Sequence, residues 1–245
     1  MPLDKIASIP YIEDDAIYQE QKAYAIAFEL DGVPVEDHSN HKINNQQVVV
    51  HDLRGASSTP QLESSGFQFV QSDLRHTFRE LDARERSPRY PAKTGYKAKF
   101  AQPSTVPHVD YTPNSTRARL RQITDEAEFE PLKDAPVWRV LKGPNHDWPL
   151  AVCDFASIHP EKDPLESDLV FRDAVSENVV LRHNPSHSWY YLSGQRTNEV
   201  LVFRNATSPG RSASKAFHAS FGTQEIVESE KELRQSIEVR LFAFL

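Results

Sequence analysis

From Trp138 to the C-terminus the chain is a train of short apolar segments separated by turn residues, and nothing constrains its folding more. VWRVLK, LAVCDFASI, LVFRDAV, NVVLRHN, SWYYLSG, EVLVFRNAT, AFHASFG and SIEVRLFAFL follow one another at regular spacing. About eight short strands spaced in this way predict a sandwich or barrel. Upstream the signal is mixed. AYAIAFEL (23–30) and QQVVVHDL (46–53) read as strands by their β-branched and alternating apolar content. SDLRHTFRELDARER (72–86) reads as an amphipathic helix capped by Ser72 or Asp73, and STRARLRQITDEAEFEPL (115–132) as a second helix opened by Ser115. SPRYPAKTGYKAKFAQPSTVP (87–107) reads as a loop. Helices followed by antiparallel strands give an α+β, mainly β, class: a jelly-roll core, cupin-like, with flanking helices. No linker interrupts it, so the expectation is one domain over 1–245, with residues 1–107 packing on a core of 108–245.

Composition narrows the function. A chain of 245 residues can bury a full core. A net charge of -7 argues against a nucleic-acid partner, which would favour a basic face. No apolar run is long enough to span a bilayer. The N-terminal MPLDKIASIPYIEDD has no basic region leading into an apolar stretch, so no secretory signal is expected. The one cysteine, Cys153, rules out an intrachain disulfide, fits a reducing compartment and reads as inert strand packing. The expectation is a cytoplasmic protein acting on small molecules. Its apolar C-terminal SIEVRLFAFL fits either the interior or a homodimer interface.

Within this frame, TVPHVDYTPNS holds His108 and Asp110 with one residue between them. In an extended segment two such side chains project to the same side and can meet one divalent ion. Alone the pattern is weak, since His-x-Asp/Glu arises by chance, as His159-Pro160-Glu161 illustrates. Two histidines and a carboxylate form the facial triad of non-haem Fe(II) enzymes, which leaves positions open for substrates. The missing histidine should come from a late strand, with His183, His187 and His218 as candidates. Alternation favours His218: if Phe217, Ala219 and Phe221 pack on one side of AFHASFG, His218 looks to the other. His187 lies in the turn-like NPSHSW. Near the C-terminus Arg234 and Ser236 would share a strand face, where a guanidinium fork and a hydroxyl suit a carboxylate such as the distal one of 2-oxoglutarate. Arg240 lies on the same face by parity, and the residues alone rank the two arginines about equally.

HVDYT, VWRVLKGPNHDWPLAVCD, SDLVF, HNPSHSWYYLSGQRTNEVLVFRNATS, FHASF and LRQSIEVR resemble the fungal AsaB-like hydroxylase/desaturase family, which also holds gibberellin-desaturase-like and CmcJ-like proteins. It is similar to the wider 2-oxoglutarate/Fe(II)-dependent oxygenases. The likeness runs from about residue 48 to the C-terminus and is most specific over 137–204. Two features depart from the family pattern: Trp138-Arg139-Val140 stands for its Trp-Arg-Pro, and the loop from Gly222 to Leu233 is long. The resemblance implies a double-stranded β-helix with Fe(II) held by His108, Asp110 and His218. It places the co-substrate motif on Arg234 and Ser236. Arg139, Tyr190 and Trp138 are the expected lining of the substrate pocket, although Trp138 reads equally simply as a core aromatic. The implied reaction consumes O2 and 2-oxoglutarate, releases succinate and carbon dioxide, and hydroxylates or desaturates a specialised metabolite. Two rivals keep the same fold: a cupin-like metalloenzyme indifferent to 2-oxoglutarate, and a non-catalytic partner subunit or binding module.

Overall fold

A computed structural model describes residues 3–28, 30–73, 103–123, 132–134, 136–207, 214–222 and 233–244. Residues 74–86 of the helix expected at 72–86, most of the 87–107 loop and the 223–232 part of the long loop lie outside the described residues.

The strands run in chain order as Lys5–Ile12 (β1), Ala23–Ile26 (β2), Ile43–Asp52 (β3), Phe67–Gln71 (β4), His108–Val109 (β5) and Leu132–Asp134 (β6). Val137–Val140 (β7), Leu150–Cys153 (β8), Pro164–Val170 (β9), Val175–Leu181 (β10) and Trp189–Tyr191 (β11) follow. The last are Glu199–Phe203 (β12), Ala206–Thr207 (β13), His218–Ser220 (β14), Ser236–Val239 (β15) and Phe242–Phe244 (β16). Among the described residues they form a nine-stranded sheet in the order β1-β3-β11-β8-β14-β5-β10-β9-β2. A four-stranded sheet runs β15-β7-β12-β4, and a small one runs β13-β6-β16. Strands from the first 107 residues are thus built into the two main sheets rather than stacked on them.

The large sheet curls until Ile12, at the end of β1, bridges Arg182 just beyond β10. Its concave face gathers Ile9, Tyr11, Trp189, Leu181, Phe217 and Phe221, each essentially inaccessible to water. Alternation along the same strands sends Leu150 and Val152 to the opposite face. There they meet Trp138, Val140, Leu201 and Phe203 from the four-stranded sheet in a second core. This two-sheet arrangement is the double-stranded β-helix.

Three expected elements differ. LVFRDAV is not a strand but the hairpin between β9 and β10, closed by Phe171 N–H donating to the Ala174 carbonyl at 2.8 Å. Its apolar ends belong to two strands, with Arg172 and Asp173 as the turn. The second helix spans Pro113–Ile123 and opens at Thr112, whose hydroxyl accepts the Ser115 N–H at 3.2 Å. Pro113 takes the first helical position, where a missing N–H costs nothing, and Leu132 at the expected helix end begins β6. SIEVRLFAFL breaks at Arg240-Leu241, its first half pairing with β7 and its second with β6. Among the described residues no helix is long and apolar enough to cross a membrane.

Candidate metal centre

One row of Cα partners crosses the large sheet and sets the site. Tyr190, Val152, His218, His108 and Val180 are successive neighbours on β11, β8, β14, β5 and β10. His218 is therefore the direct cross-strand partner of His108, and the two rings lie 4.5 Å apart. Phe217, Ala219 and Phe221 fill the concave core, so His218 faces the second sheet, where the Phe203 ring packs 4.7 Å away. Asp110, two residues beyond His108, brings its carboxylate to the same point. His108 Nε2 is 3.6 Å from Asp110 Oδ1, and His218 Nε2 is 3.9 Å from Oδ2. One ligand atom from each of the three residues lies within 4.8 Å of the others.

The backbone determines which imidazole nitrogen faces this point. His108 Nδ1–H donates to the Val106 carbonyl at 2.8 Å, and His218 Nδ1–H donates to the Ala216 carbonyl at 3.0 Å. A carbonyl can only accept, so each Nδ1 carries a proton and each Nε2 is the nitrogen turned toward this point. That is how ligating histidines are held. Burial pulls His218 down to about 4, with the neighbouring His108 adding to the effect, so it is neutral across the physiological range. Burial also depresses His108, but the Asp110 hydrogen bond and charge outweigh it and leave its pKa raised. Burial pushes Asp110 up; the His108 imidazole beside it, with smaller effects from His218 and the Arg240 guanidinium, overcomes this and holds it below the usual carboxylate range. Two imidazole nitrogens and one carboxylate fit Fe(II) in donor type and number.

Arg234 approaches from the end of the site marked by Ser220, on the same strand face as His218. Its guanidinium donates to Ser220 Oγ at 2.8 Å and to the Trp148 carbonyl, and lies over the Trp138 ring at 5.5 Å. Trp148 has a left-handed backbone, φ +42°, a conformation that costs an aromatic residue about 1–3 kcal/mol. Ser236 follows at the start of β15, opposite Val140. Arg240 reaches the other end. It binds Asp110 Oδ1 at 3.2 Å and Glu238 Oε1 at 3.0 Å, donates to the Tyr111 hydroxyl and stacks on that ring at 4.7 Å.

The remaining expected residues divide. Tyr190 lies in the ligand row, two strands from His218, and packs against Phe67 and His51. Trp138 belongs to the core between the sheets. Arg139 is buried on the opposite face of β7 from Trp138 and Val140 and is not brought to the triad. His187 is also elsewhere. Its Nε2 is 3.0 Å from Asp163, and its ring stacks on Tyr11 at 5.8 Å, while His183 meets Tyr11 edge-on at 5.0 Å. Sequence reasoning missed Asn205, Glu238 and Tyr111. Glu238 and Tyr111 were visible as neighbours of Arg240 and Asp110, but nothing local marked Asn205.

A family model described as an oxidoreductase/YMDC permease-like domain matches residues 74–244. The Fe(II)/2-oxoglutarate-dependent dioxygenase nvfI of Aspergillus novofumigatus is 30% identical over 153 residues, covering 60% of this chain and 55% of that protein. The chain thus spans about half the length of that relative. Hydroxylase/desaturase efuI of Hormonema carpetanum is 27% identical, covering 83% of this chain and 85% of its own. Among solved structures, the iron and alpha-ketoglutarate-dependent endoperoxidase NvfI aligns with a TM-score of 0.76 at 21% identity, covering 98% of each chain. That likeness shows a shared fold, and the names of the relatives agree with the resemblance read from the sequence.

Proposed function

The chain belongs to the oxidoreductase/YMDC permease-like domain family, and from that membership and its His–Asp–His cluster we propose that it is a 2-oxoglutarate/Fe(II)-dependent oxygenase. It hydroxylates or desaturates a small specialised metabolite. The observation that carries this reading is the pair of Nδ1–carbonyl bonds, which turn His108 Nε2 and His218 Nε2 toward the Asp110 carboxylate. These three residues would hold Fe(II). When bound, the metal supplies oxidation by O2 coupled to decarboxylation of 2-oxoglutarate.

The chain's own residues bind and orient. Arg234, already shaped to donate to two oxygens beside Trp138, would take the distal carboxylate of 2-oxoglutarate, with Ser236 beside it. Trp138, Phe67 and Phe203 form the apolar core between the sheets beside the centre, which keeps water from that side of the His218 ring. No side chain has to act as a general base in such a reaction. The acidic net charge supports a small-molecule rather than a nucleic-acid partner, and the single cysteine, Cys153, supports a reducing, cytoplasmic setting.

Anaerobic titration of metal-free protein with Fe(II), then 2-oxoglutarate, tests this. A weak visible charge-transfer band should form in wild type, be lost in His108→Ala and need far more 2-oxoglutarate in Arg234→Ala. Iron binding without a band would favour the cupin-like alternative, and no iron binding would favour a partner subunit or binding module.

A further inference from the structure

The tripeptide Phe203–Arg204–Asn205, at the end of β12 in the four-stranded sheet, reaches across to the metal centre at three points. Asn205 is fully buried. Its amide bonds twice to one residue: Nδ2–H donates to Asp110 Oδ2 at 3.1 Å, and Oδ1 accepts the Asp110 N–H at 3.4 Å. A planar amide presents donor and acceptor at fixed angles. Binding the backbone and the carboxylate of Asp110 together therefore limits rotation about both its side-chain torsions. With Oδ2 held, Oδ1, which also pairs with Arg240 at 3.2 Å, lies on the side of His108 Nε2.

The two preceding residues act on His218. Phe203 packs on its ring at 4.7 Å. The Arg204 carbonyl accepts the Ala216 N–H at 2.8 Å, and the Ala216 carbonyl in turn accepts the His218 Nδ1–H at 3.0 Å. One short segment of the facing sheet thus contacts two of the three ligands, directly or through a single backbone link.

We propose that Phe203–Asn205 is the brace of the metal centre, and that Asn205 is a positioning residue that orients the Asp110 carboxylate for the ion. This rests on the reading of His108, Asp110 and His218 as an Fe(II) site. The plainer account is an amide satisfied in the core between the sheets, with no bearing on metal.

The two accounts part in metal affinity measured apart from stability. Metal-free wild type, Asn205→Ala, the near-isosteric Asn205→Asp and His108→Ala are titrated anaerobically with Fe(II) and melted without metal. Both Asn205 variants should bind Fe(II) about 10- to 100-fold more weakly, the usual cost of losing a ligand's hydrogen-bond partner. The rise in melting temperature on adding Fe(II) should shrink in step. Asn205→Asp tests the donor specifically, because it keeps the shape but sets a second carboxylate against Asp110 Oδ2. A folded Asn205→Ala with unchanged Fe(II) affinity overturns the proposal. If that variant does not fold, unchanged affinity in Asn205→Asp does the same, and loss of folding in both marks an architectural residue instead. His108→Ala separates the levels: if it binds Fe(II) as tightly as wild type, the triad reading fails whatever the Asn205 variants do.

Discussion

Gly66→Ala isolates how closely the second sheet is fitted under the His218 strand. Gly66 ends the short helix Leu62–Ser65 with φ +85°, and its carbonyl accepts the Arg204 N–H at 2.8 Å. An added Cβ would stand 2.8 Å from the Lys215 carbonyl carbon and 2.9 Å from its oxygen, where ordinary contact begins at 3.4 Å. Both contacts are backbone, so no side chain can swing away. An L-residue in the left-handed region costs about 1–2 kcal/mol, and forcing atoms into a packed interior costs about 1–3 kcal/mol more. The sum, about 2–5 kcal/mol, is a large part of a typical folding free energy of about 5–15 kcal/mol. Gly55→Ala is the control: its φ is +76°, but nothing lies within 4 Å of the added Cβ. It should lose about 1–2 kcal/mol, the conformational cost alone. Urea denaturation of both variants reads the difference directly, with Gly66→Ala lower by about 1–3 kcal/mol. Because Lys215-Ala216 leads into the carbonyl that holds His218, Gly66→Ala should also weaken Fe(II) binding, whereas Gly55→Ala should not. Equal losses of stability in the two variants would refute the close approach.

Three further outcomes rest on the site's electrostatics and its neighbours. Fe(II) must displace the proton on His108, whose pKa is raised by Asp110, whereas His218, pulled down to about 4 by burial, has none to lose near neutrality. Affinity should therefore rise with pH by about tenfold per unit until the raised His108 pKa is passed, then level off, as Kd measured across this range would show. In the metal-free protein the sign reverses. The His108 contribution to stability is present in full below its unfolded pKa and is lost as pH rises through its raised folded pKa, which denaturation at several pH values checks. His187→Ala removes a partner of Asp163 and packing on Tyr11, so it should cost about 1–3 kcal/mol in urea denaturation while leaving Fe(II) affinity unchanged.

The strand-rich C-terminal half was legible because alternation and turn residues are local signals. Alternation alone turned His218 away from Phe217, Ala219 and Phe221, and the sheet keeps that division. What local pattern cannot state is pairing. That His218 lies directly opposite His108, 110 positions away, depends on β14 and β5 being neighbours. LVFRDAV misled because two strand ends flanking a two-residue turn have the composition of one strand. KIASIPYI, which is not among the expected strands, forms β1, and Pro10 is tolerated there because β1 is an edge of the large sheet. Asn205 had no local signal at all, since its partner is 95 positions away.

Arg234 and Arg240 show where parity stops being informative and fold geometry takes over. Six residues apart on one face of an extended strand, they would lie roughly 20 Å from each other, too far to serve one carboxylate. The fold uses that distance by laying the segment across the centre. Arg234 meets Ser220, two residues beyond His218, while Arg240 meets Asp110. The chain leaves the four-stranded sheet after Val239, which carries Arg240 to the exposed side of Asp110, where Glu238 and Tyr111 share its charge. Its contribution there is electrostatic: a cation 3.2 Å away adds to the larger effect of His108 in holding the largely buried Asp110 carboxylate ionised, and an ionised carboxylate is what a metal ligand requires. Arg234 sits instead against Trp138, beside the core between the sheets, where low dielectric strengthens a guanidinium–carboxylate contact. Under the proposed reading, that difference in surroundings, rather than any difference in sequence, is what separates the arginine suited to 2-oxoglutarate from the one paired with Asp110.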